Sequence, residues 1–423
     1  MALAIVLKPS AGSRLVISFP QCKTKDTMDS KIAEIRRSDV DTTEESNVSI
    51  TGVKYLSSYN WIETRRPTIA VPGSPPLWSP FEGPQKVPKD SGVIYRNQNA
   101  ARHPKSPLEP LFRALYTIQP SFSMDGVDLI TDRNNLRKLL CFINPKLERS
   151  SREPFTINVE VTRNNTAIFC RDGVNPIQFV KRNEFRGFGH EFEKAYTTNQ
   201  VTNGAGHHRI ISYQLGSLSL ILRYETDAYV DGYGNMMDSN LASNPSRSRP
   251  PRNPANGDLS SMLDSLSLGH GHVPSSSSSS PAVRTNLTVK EEGKAVPNEA
   301  TLEIKTRIAH KPLSIQEVIP QLWIAQTPNL VRAYHNKGLF RRPGVEDLTA
   351  EIKAWEDGHQ SDLARLVGVI RRIIEVVGRN GGKGVVKFDR AGDQLVVSKG
   401  QGRLLPDDLY SIFDEQVRLD LDR

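Results

Sequence analysis

The chain has 423 residues, only 37% of them hydrophobic, and 28 prolines join 29 glycines. Length allows two or three domains at roughly 150 residues each. This composition instead leaves a sizeable part of the chain outside any core, while its Val/Ile/Leu-rich stretches exclude a collagen-like or wholly disordered protein. Lys and Arg outnumber Asp and Glu by 55 to 47, a net charge of +8 that leans weakly towards polyanionic partners. The most apolar run, Leu218 to Leu222, falls far short of the ~20 residues that span a membrane. Cys22, Cys141 and Cys170 are odd in number and far apart. They argue for a reducing compartment and against a disulfide framework or a zinc knuckle.

Residues 1–50 read as a flexible N-terminal segment. Lys8, Arg14, Lys23 and Lys25 precede the first acid, Asp26, as in a transit peptide, but Pro9 and Pro20 break any long amphipathic helix. From about Tyr55, seven prolines between Pro67 and Pro88 mix with Trp61, Trp78 and Phe81, the texture of an extended arm rather than a central strand. Apolar spacing predicts helices over 108–116 and 133–143, and paired strands over 155–161 and 166–170. Gly216-Ser217 between two apolar runs predicts a hairpin of 209–215 with 218–229.

Residues 238–297 hold Asn-Pro and Ser-Arg dipeptides and the run Ser275 to Ser280, and are expected to be a disordered insertion. Replacing 239–296 by a short Gly/Ser linker is then expected to preserve activity. Its one helical island, Leu259 to Leu266, is short and Ser-rich. Order is expected to return with a strand at 301–306, a helix at 315–327 and a strand at 329–335. A long helix over 348–377, broken near Gly358, and a hairpin of 385–389 with 395–399 complete the chain. Strands and helices without strict alternation indicate one α/β or α+β catalytic domain, split into residues 51–237 and 298–423.

Two strand faces carry the chemistry. Along the strand through Tyr224, Leu218, Leu220, Leu222 and Tyr224 share one face, and Ile221, Arg223, Glu225 and Asp227 the other. Farther on, Leu302 and Ile304 oppose Glu303, Lys305 and Arg307. Three acids on rigid strands beside a lysine repel one another unless a cation neutralises them, and oxygen ligands of this kind suit Mg²⁺ or Mn²⁺. Such an ion clamps a phosphodiester and activates water, the logic of the PD-(D/E)xK nuclease core. Either motif alone reads better as a solvated strand face with salt bridges; the two together balance that reading against the nuclease core.

The segment Arg186-Gly-Phe-Gly-His-Glu-Phe-Glu-Lys-Ala-Tyr196 adds a third element. Taken together, the chain resembles the DXO family of decapping and 5′-end-processing enzymes, which includes the partner protein of the nuclear 5′–3′ exoribonuclease. The family's glycine-to-glutamate motif resembles Gly189 to Glu193, with Glu191 as an alternative register. Its ExD and ExK motifs resemble Glu225-Thr-Asp227 and Glu303-Ile-Lys305. Its arginine motif resembles Thr131-Asp-Arg133, and its Trp/Gln helix Leu322-Trp323-Ile-Ala-Gln326. All five stand in the family's order, between about Tyr55 and Phe340. Two departures are visible: 76 positions separate Asp227 from Glu303, and Asp132 and Asn134 stand where the family tends to have an aromatic and a glycine.

The resemblance implies a mixed-sheet α/β nuclease core that hydrolyses a phosphodiester at RNA 5′ ends to remove incomplete or non-standard caps, NAD-type among them, in mRNA quality control. It leaves open whether 5′–3′ exoribonuclease activity accompanies this. The implied metal set for Mg²⁺ or Mn²⁺ is Glu193, Glu225, Asp227, Glu303 and Ile304. Lys305 and Gln326 would hold the water or the scissile phosphate, and Arg133 the RNA backbone. Nucleus and cytoplasm both suit such an activity. Two rivals stand beside it: a non-catalytic partner that stabilises a 5′–3′ exoribonuclease, and a DNA-directed nuclease of the same core.

Other features weigh less. His207-His208 and His270-Gly-His272 lack a third ligand at metal-binding spacing. Gly378 to Gly384 fails the P-loop pattern and reads as a helix end and turn. Arg182, Arg186, Arg209, Arg223, Arg307, Arg332, Lys337, Arg341 and Arg342 are candidates for lining an RNA channel.

Overall fold

The computed structural model describes residues 30–40, 47–147, 153–172, 175–181, 184, 187–232, 287–389 and 392–413. Its centre is a mixed sheet of eleven strands. From one edge these are Lys31–Arg36, Gln394–Lys399, Lys383–Phe388, Phe155–Val161, Ala167–Arg171, Leu129–Asp132, Leu218–Thr226, Gly204–Leu215, Ile50–Ile62, Thr68–Gly73 and Thr288–Gly293. A second sheet of eight strands holds Thr301–Ile308 parallel to Asn329–Asn336. The mixed α/β class expected from the sequence is the one observed.

The large sheet is covered on both faces. Leu136, Leu139, Leu140 and Ile143 lie at i, i+3, i+4 and i+7 on the helix Arg133–Ile143. They bury with Leu218, Leu220 and Leu222 and with Leu363, Val367 and Ile370 of the helix Gln360–Arg379. On the other face Leu111, Phe112 and Leu115 of the helix Glu109–Ile118 pack on Leu56, Ile210 and Ile221. Each such side chain contributes about 2 kcal/mol of transfer free energy. The side-chain alternation expected for 218–227 therefore holds, but the face carrying Ile221 is a second core; it opens to solvent only at Glu225.

Three expectations are corrected. Within 1–50, Lys31–Arg36 is an edge strand paired with Gln394–Lys399 and anchored by buried Ile35; residues 1–29 and 41–46 lie outside the described residues. The supposed arm contains Thr68–Gly73, and the preceding Ile50–Ile62 is a thirteen-residue strand inside the large sheet. Within 238–297, residues 288–293 form a strand parallel to Thr68–Gly73. A linker replacing 239–296 would remove it; residues 233–286, with the island at 259–266, lie outside the described residues. Half of Lys31–Arg36 and most of Thr288–Gly293 is charged or polar, which protects a sheet edge from further pairing but weakens the apolar alternation that announces a strand.

Candidate active site at the seam of two sheets

The strand Leu218–Thr226 leaves the large sheet and re-enters the smaller one as Ala228–Tyr229, with Asp227 in the break. Ala228 pairs antiparallel with Leu302, which sets Asp227 opposite Glu303. The Asp227 Oδ2 accepts a hydrogen bond from the Ile304 N–H at 2.8 Å, standing in for a ladder partner where the sheets part. Glu193 arrives from the helix Gly189–Tyr196, which is pinned by buried Phe192 and Tyr196 against Phe340 and Trp78. The helix starts at Gly189 beside the strand Thr301–Ile308, close enough that a Cβ there would rest in ordinary van der Waals contact with the Thr306 hydroxyl at 3.5 Å.

Glu303 is the most tightly held acid. It is 2% exposed. Lys305 Nζ and Gln321 Nε2 donate to its Oε1, and Arg133 donates to its Oε2 at 3.0 Å. Burial alone would raise this carboxyl, but Lys305 and Arg133 outweigh it and hold the pKa at about 2. The neighbours behave oppositely. Burial, with Glu303 beside it, pushes Asp227 up to about 7 against the pull of Lys305. Burial and Asp227 likewise drive Glu193 well above the usual carboxylate range. Glu225 stands exposed at the mouth, and the protein around it still raises its carboxyl, with Arg133 opposing.

These four carboxylates therefore feel one another, as the sequence reading expects, and Lys305 is the ammonium among them. Of the two register alternatives, Glu193 feels the charges of Asp227, Glu225 and Glu303, whereas Glu191 pairs with Lys194 at 2.7 Å. Ile304 gives its N–H to Asp227 and buries its side chain, so only its carbonyl oxygen is left as a ligand atom. Gln326 is not at the site. It ends the helix Ile319–Ala325 in a left-handed conformation, φ 52°, and its amide donates back to the Trp323 carbonyl at 2.6 Å. The glutamine that reaches Glu303 is Gln321, five residues earlier. Its signal was available in the sequence: it precedes the strand Asn329–Asn336 by two helical turns, whereas Gln326 almost abuts it.

Arg133 lies with its guanidinium 5.8 Å from the Tyr224 ring and lines the cleft beside the acids. The Asp132 departure has a structural reason. Asp132 holds the buried Arg223 in a two-pronged ion pair at 2.7 and 3.0 Å. That corrects the channel reading for Arg223, and Arg209 is equally buried. Arg307 and Arg332 are paired with Glu317 and Glu346. Lys337, Arg341 and Arg342 are exposed, Arg342 beside Glu82. Arg182 and Arg186 lie outside the described residues, as do His270 and His272. His207 bonds Asn60 and His208 bonds Gln98; burial keeps both imidazoles neutral, as structural groups. The sequence reading missed His190, 3.6 Å from Asp90, whose imidazole is raised by that partner and feels Glu225.

Glu225, Arg133 and Gln321 open onto a cleft of about 270 Å³. A larger cavity of about 770 Å³ shares Asn134 and Arg171 with it but holds none of the four acids, so the chemistry belongs to the smaller one. Among the described residues no three acidic, His or Cys groups already converge on one point as an ion would need. The donor set itself fits a hard divalent cation: only oxygens, with Glu193, Glu225 and Asp227 held where burial and neighbouring acids raise their affinity for protons. Side-chain rotation would have to bring them together.

One consequence is testable without substrate. A carboxyl whose folded pKa lies above its unfolded value costs stability once pH exceeds the unfolded value. In chelator, the protein should therefore gain stability as pH falls through about 7 towards about 4. Thermal unfolding in EDTA should show a midpoint higher by about 2–4 °C near the acid end of that window than at its top. Asp227→Asn should flatten the dependence. Glu303, depressed to about 2, begins to withdraw stability once pH falls below its ordinary carboxylate value, so it opposes the gain only at the acid edge of this window. An equally steep profile in Asp227→Asn would place the raised carboxyl elsewhere.

Residues 30–250 and 258–409 match the model of a family described as a domain of unknown function, DUF8563. No curated protein matches the chain. Among solved structures it is similar to Candida albicans Rai1 in complex with pU5 and Mn²⁺, at 12% identity over 90% of this chain and 99% of that one, with a TM-score of 0.54. It is also similar to S. pombe Rai1 in complex with 3′-FADP, at 11% identity over 87% of this chain and 99% of that one, with a TM-score of 0.50. At such identities the likeness carries the fold, and the site stands on the geometry above. The chain belongs to the DUF8563 family and is built on the DXO-family fold.

Proposed function

We propose that the protein is a metal-dependent RNA 5′-end hydrolase that cleaves a phosphodiester to release incomplete or non-standard caps, NAD-type included. The observation that carries this is the seam itself. Glu193, Glu225, Asp227 and Glu303 come from three separate stretches of chain, with Lys305 close enough to feel their charge, and Glu225 and Arg133 line the adjoining cleft. The four carboxylates and the Ile304 carbonyl would hold Mg²⁺ or Mn²⁺. Such an ion supplies an activated water and neutralises charge on the leaving oxygen. Lys305 offers its ammonium to a phosphate oxygen, Gln321 and Arg133 fix Glu303, and Arg133 keeps a guanidinium facing the cleft for the RNA backbone. RNA 5′ ends are the proposed partner, in nucleus or cytoplasm. Among the described residues no helix is long and apolar enough to cross a membrane.

One observation favours a second reading, a non-catalytic partner of a 5′–3′ exoribonuclease: Glu303 is fully engaged by its own chain, and among the described residues no ligand set is already assembled. Product analysis separates the two. With Mn²⁺, NAD-capped, unmethylated-cap and 5′-monophosphate RNA should be cut well, and mature methylguanosine-capped RNA and single-stranded DNA poorly. The cap should leave with part or all of the first nucleotide. Gln321→Ala should slow the reaction about tenfold or more, the value of one charge-assisted hydrogen bond, and Gln326→Gly should leave it unchanged because glycine suits the positive φ. Cleavage inside the pyrophosphate, or no cleavage of any RNA, would overturn the reading.

A further inference from the structure

The strands Gly92–Tyr95 and Ile177–Val180 pair into a small antiparallel ribbon beside the cleft. Phe179 stands opposite Val93 and Ile177 opposite Tyr95, so these four share one face. The reverse face buries Ile94 and Val180. The front does not bury its leading pair: Phe179 is 67% exposed and Val93 55%. Phe179 is the most exposed large hydrophobic among the described residues, and Val93 directly opposite is the second.

The same face leads into the site. Tyr95 lines the cleft that holds Glu225, Arg133 and Gln321, and so do Arg96, Arg137 and Arg171. The Arg171 guanidinium donates to the Arg96 carbonyl at 3.1 Å, and Arg96 clasps Gln178 on the ribbon's second strand at 2.8 Å. Burial, together with the nearby charges of Arg137 and Arg96, holds Arg171 below its ordinary value although Asp132 opposes them. A cluster of like charges that repel one another complements a polyanion. An apolar aromatic face continuous with such a cluster, ending at a phosphodiester-cutting site, matches the pattern by which single strands are held without reading sequence: bases on aromatic rings, phosphates on arginines.

We propose that the ribbon and these arginines form a track for single-stranded RNA leading away from the carboxylate seam, with Phe179 the stacking platform for a base and Arg96, Arg137 and Arg171 the backbone contacts. This rests on the proposed function, since it takes the strand that the seam cuts.

The test is equilibrium binding in EDTA, so that no strand is cleaved, using 3′-fluorescein oligouridylate of ten residues and a 5′-phosphorylated dinucleotide. The wild-type protein should bind the ten-mer more tightly. Phe179→Ser should weaken the ten-mer about tenfold, the worth of one base stack, leave the dinucleotide unchanged, and be reversed by Phe179→Tyr. Arg96→Gln with Arg171→Gln should flatten the salt dependence of the ten-mer. Unchanged ten-mer affinity in Phe179→Ser would overturn the track and assign the apolar face to a protein partner instead. So would Phe179→Tyr binding no better than Phe179→Ser, or equal wild-type affinity for the two oligonucleotides. If the wild-type protein binds neither RNA, the proposed function falls with it.

Discussion

Replacing Glu225 and Asp227 together by alanine is expected to lower RNA hydrolysis by about 10³-fold or more, because it strips two charges from the group that must face the reacting phosphate. The fold should survive. Glu225 is exposed at the cleft mouth, and Asp227 is held above its ordinary range by burial and by Glu303 beside it. Removing clustered like charges relieves that crowding, at the expense of one hydrogen bond to Ile304. Circular dichroism and thermal unfolding should therefore match the wild type while turnover collapses. Wild-type turnover in the double variant would remove these residues from the chemistry.

Glu303→Ala should behave differently, although it is an acid of the same cluster. Its carboxylate is buried and answers three donors, from Arg133, Lys305 and Gln321. Removing it leaves two cations in a partly closed cleft without their common partner, a change that costs about 3–5 kcal/mol in buried pairs. Denaturant unfolding should register most of that loss alongside abolished activity, and Glu303→Gln should recover part of the stability without the activity. A Glu303→Ala protein as stable as the wild type would mean that Arg133 and Lys305 reach water freely, and that Glu303 is not the anchor of the site.

The contrast between these acids could not be read from the sequence, where Glu225, Asp227 and Glu303 look alike. What was legible is what periodicity and spacing encode. The helix over 133–143 announces itself by its apolar spacing, the 204–226 hairpin by Gly216-Ser217, and the two strand faces by their alternation. The acid of the Gly189 motif was legible only to within one register. The structure separates Glu193 from Glu191 because two residues, about 200° around the helix, point them to different neighbours.

The misreadings have physical causes as well. Gln326 sits beside a Trp in a familiar-looking motif, but the helix ends there in a left-handed turn, and the side chain that reaches Glu303 starts a turn and a half upstream. Arg223 looked available on a polar strand face until a second layer of helix covered that face and Asp132 took its charge. Ile50–Ile62 and Thr288–Gly293 escaped notice because a strand completed by its neighbours needs little apolar pattern of its own.

The claim on which the rest depends is that the seam acts through a divalent cation held by its carboxylates. Its most direct test is the hydrolysis of 5′-monophosphorylated single-stranded RNA by chelator-stripped protein as Mn²⁺ is added back. The account predicts no cleavage before addition and a saturable rise afterwards. It predicts a higher Mn²⁺ requirement as pH falls through about 7, where protons compete for Asp227, and no rise in the Glu225→Ala/Asp227→Ala protein. Cleavage that persists in excess EDTA, or an unaltered metal response in the double variant, would contradict it.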